Sequence, residues 1–359
     1  MTARMQYIMN GQAHGDMASM LLQHGLQPGV LRPYMEDDGV SYVTVNHNGE
    51  DRVMVANAAA TLRKQEWEHI DREVLAVAKP RLKLVNWMRS KNMVYNLPNA
   101  LGNPVFQSET RTDISPARIS MDALAGGDND RVEYNMVNLP IPVISKEFEF
   151  NARQSAASRN GPAGTGSASP LDTTTLEAAA IQVVEMAERF VAGTYGSYSF
   201  GGGTAYGMIN SPQRVTMTFR DPAGGGWTPE MLFDDVAAMI AALVNLNHYG
   251  PYKLWHGTGL TATMMKRFNA YDGTPLGTKL AELPNISGVE QADYIPGKRL
   301  VLCEESKGTA RLVFGMDVST LQWQSKGGLL SSYIVMAIMV PQIRADAVGN
   351  TGIVDAVAA

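Results

Sequence analysis

Three hundred and fifty-nine residues exceed what one ordinary hydrophobic core fills, so the chain should form two sub-domains or one body with large excursions. With 45% hydrophobic and 18% charged residues it is too apolar to be disordered, and 30 Lys and Arg against 35 Asp and Glu, a net charge of −5, argue against a dedicated nucleic-acid binder. The one cysteine, Cys303, excludes a disulfide framework and a multi-cysteine zinc site, and its place in the apolar run Leu300–Cys303 marks it as a buried small hydrophobe.

Met1–Gln6 lead into no long apolar stretch, so no signal peptide is expected and the product should stay in the cytoplasm. Residues 1–57 have weak periodicity apart from a β-branched piece at Val40–Val45, which predicts an extended arm with one strand. From Ala58, the apolar positions Leu62, Trp67, Ile70, Val74 and Val77 recur at helical spacing until Pro80 removes an amide donor. The next piece, Arg81–Met88, alternates apolar and charged residues and is compatible with a strand or a second helical piece.

Residues 96–140 hold too many Pro and Gly for a useful helix, yet Arg118–Met121 and Arg131–Val137 have strand character, which predicts a long β-hairpin arm. Its charges are Arg111, Arg118 and Arg131 against Glu109, Asp113, Asp122, Asp128, Asp130 and Glu133, a net of −3. An alternating segment with Ile144, Phe148 and Phe150 follows, and then a Gly/Ser/Ala-rich linker, Ser155–Ser169.

Thr174 with Glu177 has the sequence of a capping box, and Leu176, Ala180, Val183, Ala187 and Phe190 or Val191 form one stripe up to Gly193. After the glycine clusters Gly201–Gly203 and Gly224–Gly226, read as flexible joints, Thr228 can cap a third helix with Pro229 at its first position. Leu232, Val236, Met239, Ile240 and Leu243 share its apolar face, and Gly250–Pro251 marks its end. Alternating strand and helix pieces, including a helical stretch at Met264–Phe268, precede four strands at Arg299–Cys303, Arg311–Phe314, Leu321–Gln324 and Tyr333–Ile343. The apolar run Tyr333–Val340 in the last has eight residues, against about 20 for a membrane-spanning helix, and reads as a buried strand. The fold class is α+β with non-local strand pairing.

No motif carries chemistry. Gly164-Thr-Gly166 follows no strand and has Ser169 where a dinucleotide fingerprint needs glycine. The histidines (His14, His24, His47, His69, His248, His256) are scattered without metal-ligand spacing. The acidic pairs Asp128–Asp130 and Glu304–Glu305 read as solvated turn residues. Catalytic, cofactor and metal residues are therefore expected to be absent, and the protein is not read as an enzyme. One charge feature stands out: Lys79, Arg81, Lys83, Arg89 and Lys91 lie in 13 residues without an acid, interleaved with Leu82, Leu84, Val85 and Trp87. It is either a basic face that meets a neighbouring chain's acidic arm or a polyanion, or a solvated edge with snorkelling stems.

The order of the elements resembles a known family. Gln65-Glu-Trp-Glu-His-Ile-Asp-Arg-Glu-Val through Lys79-Pro-Arg-Leu is similar to the N-terminal helix of encapsulin shell proteins. Pro140-Ile-Pro-Val-Ile-Ser-Lys-Glu-Phe-Glu-Phe, then Leu176 through Phe190 and Gly193, resembles their returning arm strand and long spine helix. Gly250-Pro-Tyr-Lys-Leu, Gly315-Met-Asp-Val-Ser and Leu321-Gln-Trp resemble a turn and the closing strands of the same family.

Encapsulins share the Hong Kong 97 fold with major capsid proteins of tailed phages. The resemblance implies an N-terminal arm (1–57), a first part of a peripheral domain (58–95), an extended loop (96–140), a peripheral segment (141–229) with the spine helix at 174–192, an axial domain (230–312) and closing peripheral strands (313–359). It implies a structural major capsid protein of a phage virion, made in the host cytoplasm, assembling with itself into hexamers and pentamers of an icosahedral head. Partners would be a separate scaffolding, portal or decoration protein, and double-stranded DNA by non-specific contact, without a membrane or a cofactor. The alternative is an encapsulin-type compartment around cargo enzymes. The long arm and Gly/Ser insertions favour the phage head, and the loop has no lysine from Asn92 to Ser145 to donate a crosslink. Candidate inter-subunit contacts are Glu109, Arg111, Asp113, Arg118 and Asp122 on the loop against Lys79, Arg81, Lys83, Arg89 and Lys91 on a neighbour.

Overall fold

The computed structural model describes residues 7–9, 12–14, 34–36, 40–47, 50–55, 81–111, 131, 134–154, 171–326, 329–346 and 349–359. The helix expected over 58–80, the piece Arg118–Met121 and the linker Ser155–Ser169 lie outside these residues.

The N-terminal region contains more strand than its sequence suggests. Strands β1 (Tyr7–Met9) and β2 (Gln12–His14) pair as a hairpin, and β3 (Tyr34–Met35), β4 (Ser41–His47) and β5 (Glu50–Val55) form a three-stranded sheet. Tyr34 is buried in the main core, so β3 is anchored rather than purely extended.

The ambiguous piece after Pro80 is a helix, α1 (Lys83–Ser90), because Leu84, Val85, Trp87 and Met88 make one buried face at helical spacing. The following strands are β6 (Val94–Asn96), β7 (Val105–Arg111), β8 (Tyr134–Pro140) and β9 (Ile144–Asn151). Helix α2 (Leu171–Ala192) begins three residues before the expected Thr174, so the capping-box pair lies inside its first two turns rather than at its start. Its 22 residues extend about 33 Å. Gly193 ends it at φ +96°, and a Cβ there would lie 2.8 Å from Asn210 Oδ1, so only glycine fits the left-handed turn.

Strands β10 (Tyr198–Phe200) and β11 (Gly203–Ala205) form a hairpin whose turn is Gly201–Gly202. The first glycine cluster is thus a packed turn, not a joint: a Cβ on Gly203 would sit 2.0 Å from the backbone oxygen of Asn138 in β8. Strand β12 (Val215–Phe219) precedes helix α3 (Pro229–Asn245). Thr228 has the extended backbone of an N-cap, with Pro229 at the first helical position, but its side chain makes no capping bond. Helix α3 stops at Asn245, before Gly250–Pro251, where Asn247 turns to φ +63°.

The rest comprises β13 (Tyr252–His256), α4 (Thr261–Met264), α5 (Leu276–Ala281), β14 (Ile286–Gln291), β15 (Arg299–Glu304), β16 (Ala310–Ser325), β17 (Leu330–Ile343) and β18 (Ile353–Ala358). The helical turn expected at Met264–Phe268 lies earlier, ending at Met264. The two strands expected at Arg311–Phe314 and Leu321–Gln324 are one strand, β16, whose register shifts near Met316 absorb the intervening residues as bulges.

Two sheets organise the body. The five-stranded sheet runs β12-β18-β15-β13-β14. Leu300, Leu302, Tyr252, Leu254, Val354 and Ala356 face Leu232, Val236, Met239 and Leu243 of α3. The alternate positions Val301, Cys303, Trp255 and Ile353 face α1 and α2. Covered on both sides, these strands need continuous apolar runs, as β13 and β15 have. Strand β18 lies between β12 and β15, so this sheet draws strands from well-separated parts of the chain.

The second sheet runs β6-β16-β17-β9. Helix α2 covers it with the predicted stripe, including Leu176, Ala180, Val183 and Ala187. Phe148 of β9 stacks on Tyr333 of β17 at 5.2 Å between centroids. One core cluster joins α1, α2 and faces of both sheets, so the two units share an interior.

Candidate functional site

Helix α1 is where the basic stretch becomes three-dimensional. Its apolar face is buried, which leaves its cations on the rim, and each described one meets a carboxylate of its own chain. Arg81 lies 4.0 Å from Glu185, Lys83 2.8 Å from Asp293, Arg89 3.4 Å from Asp317 and Lys91 2.8 Å from Glu305. The Arg89 guanidinium also sits 4.5 Å over the Phe314 ring. Lys79 lies outside the described residues. The sequence offered these cations to a neighbour or to water, and the fold gives them intrachain partners distant in sequence.

The first turn of α1 contains no acid, and its backbone donors are met from α2. Leu84 N–H donates to Glu188 Oε1 at 2.5 Å and Val85 N–H to Glu188 Oε2 at 3.4 Å. Sequence reading passed over Glu188, although it stands four residues after Val184 and three before Val191 on the buried face, which is the signal that marks it.

Glu304 and Glu305 are not solvated turn residues. The Glu305 side chain is 3% exposed and accepts from Trp87 Nε1 at 2.9 Å, Ser287 Oγ at 2.8 Å and Lys91 Nζ at 2.8 Å. Burial pushes its carboxyl up, but these three donors outweigh that and hold it below its ordinary value. Glu304 accepts from Thr309 Oγ1 at 2.5 Å and lies 2.7 Å from His248 Nδ1. Asp355 of β18, also missed, is buried between Arg214 at 3.0 Å and Arg299 at 3.2 Å. Its signal was an isolated acid in the apolar run Ile353–Val357.

The extended loop is a β7–β8 hairpin, paired from Val105 with Pro140 to Arg111 with Tyr134. Its base is held: Phe106 and Leu139 pack with Val313, Ile338 and Val340, and Gln342 Nε2 donates to Ser108 Oγ at 2.8 Å. Outward the cover ends. Tyr134 is 60% and Met136 59% exposed, and Glu109, opposite Met136, is exposed too. Arg111 closes β7, while Asp113, Arg118 and Asp122 lie outside the described residues. A two-stranded hairpin with apolar side chains exposed on it is marginal alone in water.

Among the described residues no set of three His, Cys, Asp or Glu could hold a metal. Cys303 is buried, as expected, and desolvation pushes its thiol far above the ordinary range, so it is inert as a nucleophile. Burial likewise lowers His256. Among the described residues no helix is long and apolar enough to cross a membrane.

The chain shares its fold with shell proteins. It aligns with the virus-like particle from Pyrococcus furiosus at TM-score 0.56 and 16% identity, covering 81% of this chain and 98% of that one. The capsid of Myoviridae phage XM1 aligns at TM-score 0.55 and 12% identity over 75% and 91% of the two chains. The capsid of the native gene transfer agent particle aligns at 0.54 and 12% over 76% and 89%. These likenesses, with two sheets, a long spine helix and an outlying hairpin, place the fold as Hong Kong 97-like, as the sequence resemblance implied. No curated protein matches the chain in sequence. A family model described only as a family of unknown function, DUF6260, matches residues 57–356, and the chain belongs to that family.

Proposed function

We propose that this chain is a major capsid protein, a structural subunit that assembles with copies of itself into the icosahedral head of a phage, in hexamers and pentamers around double-stranded DNA. The observation that carries this reading is the hairpin β7–β8, whose base is fixed in the core while Tyr134 and Met136, farther out, are exposed. The fold's likeness to shells over most of the chain supports the same reading.

In this reading the hairpin rests on a neighbouring subunit, with Glu109, Asp113 and Asp122 toward its basic stretch Lys79–Lys91. The four described cations there remain 32–41% exposed while paired, so each can serve a second carboxylate. Arg111 and Arg118 balance part of the hairpin's charge. Stable contacts of this kind bury on the order of 1,200–2,000 Å² or more. Scaffolding, portal or decoration proteins act as separate partners, and subunits wait in the host cytoplasm before entering the virion.

The likeness to the Pyrococcus furiosus virus-like particle favours a second reading, a compartment that encloses proteins. Nuclease treatment of particles isolated from their native source separates the two. Protected DNA supports the phage head, whereas particles that hold protein and no DNA support the compartment.

A further inference from the structure

His256 closes β13, is 6% exposed, and lines a cavity of about 400 Å³ that α4, α5 and β14 complete. Met264, Met265, Pro275 and Val289 form its apolar walls. The imidazole Nδ1 lies 3.2 Å from the Gly257 carbonyl oxygen, which only accepts, so Nδ1 carries the proton and Nε2 keeps a lone pair. Among the described residues no donor meets that Nε2. The neighbouring polar groups are already engaged, since Thr261 Oγ1 donates to Gln291 Oε1 at 2.7 Å and Gln291 Nε2 donates to Asp293 at 2.9 Å. An apolar cavity with one vacant acceptor and no charged group among its described lining residues suits an uncharged aromatic group that ends in a hydroxyl donor.

The chain presents such a group nearby in sequence. Tyr271 is 100% exposed, so its ring reaches no cavity of its own chain. The turn that carries it is held firmly: Asn269 Oδ1 accepts from the Tyr271 N–H at 2.9 Å and the Asp272 N–H at 2.6 Å. The Asp272 carboxylate accepts from the Thr274 N–H at 3.0 Å and lies 3.1 Å from Lys279 Nζ, and Phe268 meets Phe233 of α3 edge-on at 5.6 Å. A tyrosine on a firmly held turn loses little freedom on docking, which is what an interface anchor needs.

We propose that Tyr271 of one copy docks in the His256 cavity of a second copy, with its phenol hydroxyl donating to Nε2 and its ring against Met264 and Met265. Met265, 73% exposed on the lip, is covered by the same contact. Each copy gives one tyrosine and takes one, an arrangement that repeats around a closed ring. The contact rests on the reading of the chain as a self-assembling subunit and adds to it the residues that join neighbours. The β7–β8 hairpin, whose base packs on β16 and β17, takes no part in it.

A photocrosslinker at the docking position tests it. Full chain with p-benzoylphenylalanine in place of Tyr271 is diluted into an excess of isotopically labelled native chain, and the assembled fraction is irradiated and analysed by mass spectrometry. Links to labelled Thr261–Met265 or Pro275–Thr278 are the expected result. Links only to other surfaces, or only within one copy, overturn the docking while the shell reading stands; a chain that stays monomeric under every condition overturns both. Without the crosslinker, Tyr271→Ala should lower assembled material at least about tenfold and Tyr271→Phe about fivefold, both with native unfolding. Native-level assembly of either variant overturns the docking as stated.

Discussion

Trp87 donates its indole N–H to Glu305 at 2.9 Å, which ties the first described helix to the residue just past β15, more than two hundred positions away. The same indole meets Trp255 of the five-stranded sheet edge-on at 5.6 Å between centroids. Helix α1 is thus tied to the five-stranded sheet through Trp87, while Arg89, beside Asp317 and over the Phe314 ring, reaches β16 of the second sheet.

Replacing the Glu305 carboxylate should be costly. Glu305→Ala leaves the Trp87 N–H and the Lys91 ammonium without their acceptor and is expected to destabilise the chain by about 2–4 kcal/mol, with Glu305→Gln costing less than half as much. Urea unfolding reads the difference. A loss under about 0.5 kcal/mol for the alanine variant means that water replaces the lost bonds.

Glu305 also sets an acid limit. Its carboxyl is held below the ordinary 4.5 by Lys91, Trp87 and Ser287 against the opposing effect of burial, so its stabilisation is present above pH 4.5 and disappears as pH falls through the depressed folded value. Thermal midpoints measured below pH 4.5 should fall less steeply in Glu305→Gln than in the native chain; parallel curves would assign the acid limit to another group.

Gly203 fixes the base of the hairpin. A Cβ there would lie 2.0 Å from the Asn138 backbone oxygen, so Gly203→Ala must push β11 away from β8, at a cost of about 1–3 kcal/mol. Exchange of the β8 amides should accelerate in this variant. An Ala variant with native stability and native β8 protection contradicts the close approach.

The outer end of the hairpin should matter to assembly and little to folding. Tyr134→Ser with Met136→Ser removes exposed apolar surface, so unfolding free energy should stay within about 0.5 kcal/mol of native. Assembled material, followed by sedimentation, should fall at least about tenfold, equivalent to about 1.4 kcal/mol in a contact. Undiminished assembly rules out this face as a subunit contact.

Local signals carried much of this fold. Thr228, Pro229 and the stripe from Leu232 to Leu243 announce α3 because cap, first turn and buried face agree. Helix α2 starts at Leu171, three residues ahead of the position that the Thr174–Glu177 pair marks. The two strands expected at Arg311–Phe314 and Leu321–Gln324 join into one, because bulges between Phe314 and Ser319 accommodate the intervening residues, and bulge geometry depends on the partner strand. Strand β18 is short and pairs with β12 and β15, so its place in the five-stranded sheet depends on non-local contacts.

The charged residues were least legible. Arg81, Lys83, Arg89 and Lys91 find Glu185, Asp293, Asp317 and Glu305 only when the chain closes on itself, so their linear run resembled a free basic face. Glu188 and Asp355 could have been found as isolated acids at core positions. The hairpin's exposed end was anticipated in outline, because a loop rich in Pro and Gly with strand-like pieces cannot supply its own core.

Electron microscopy of the purified full chain, imaged across protein concentration and salt, addresses the shell reading. Closed hollow particles of uniform diameter with fivefold vertices are the expected result. Monomers or small open oligomers under every condition would contradict it.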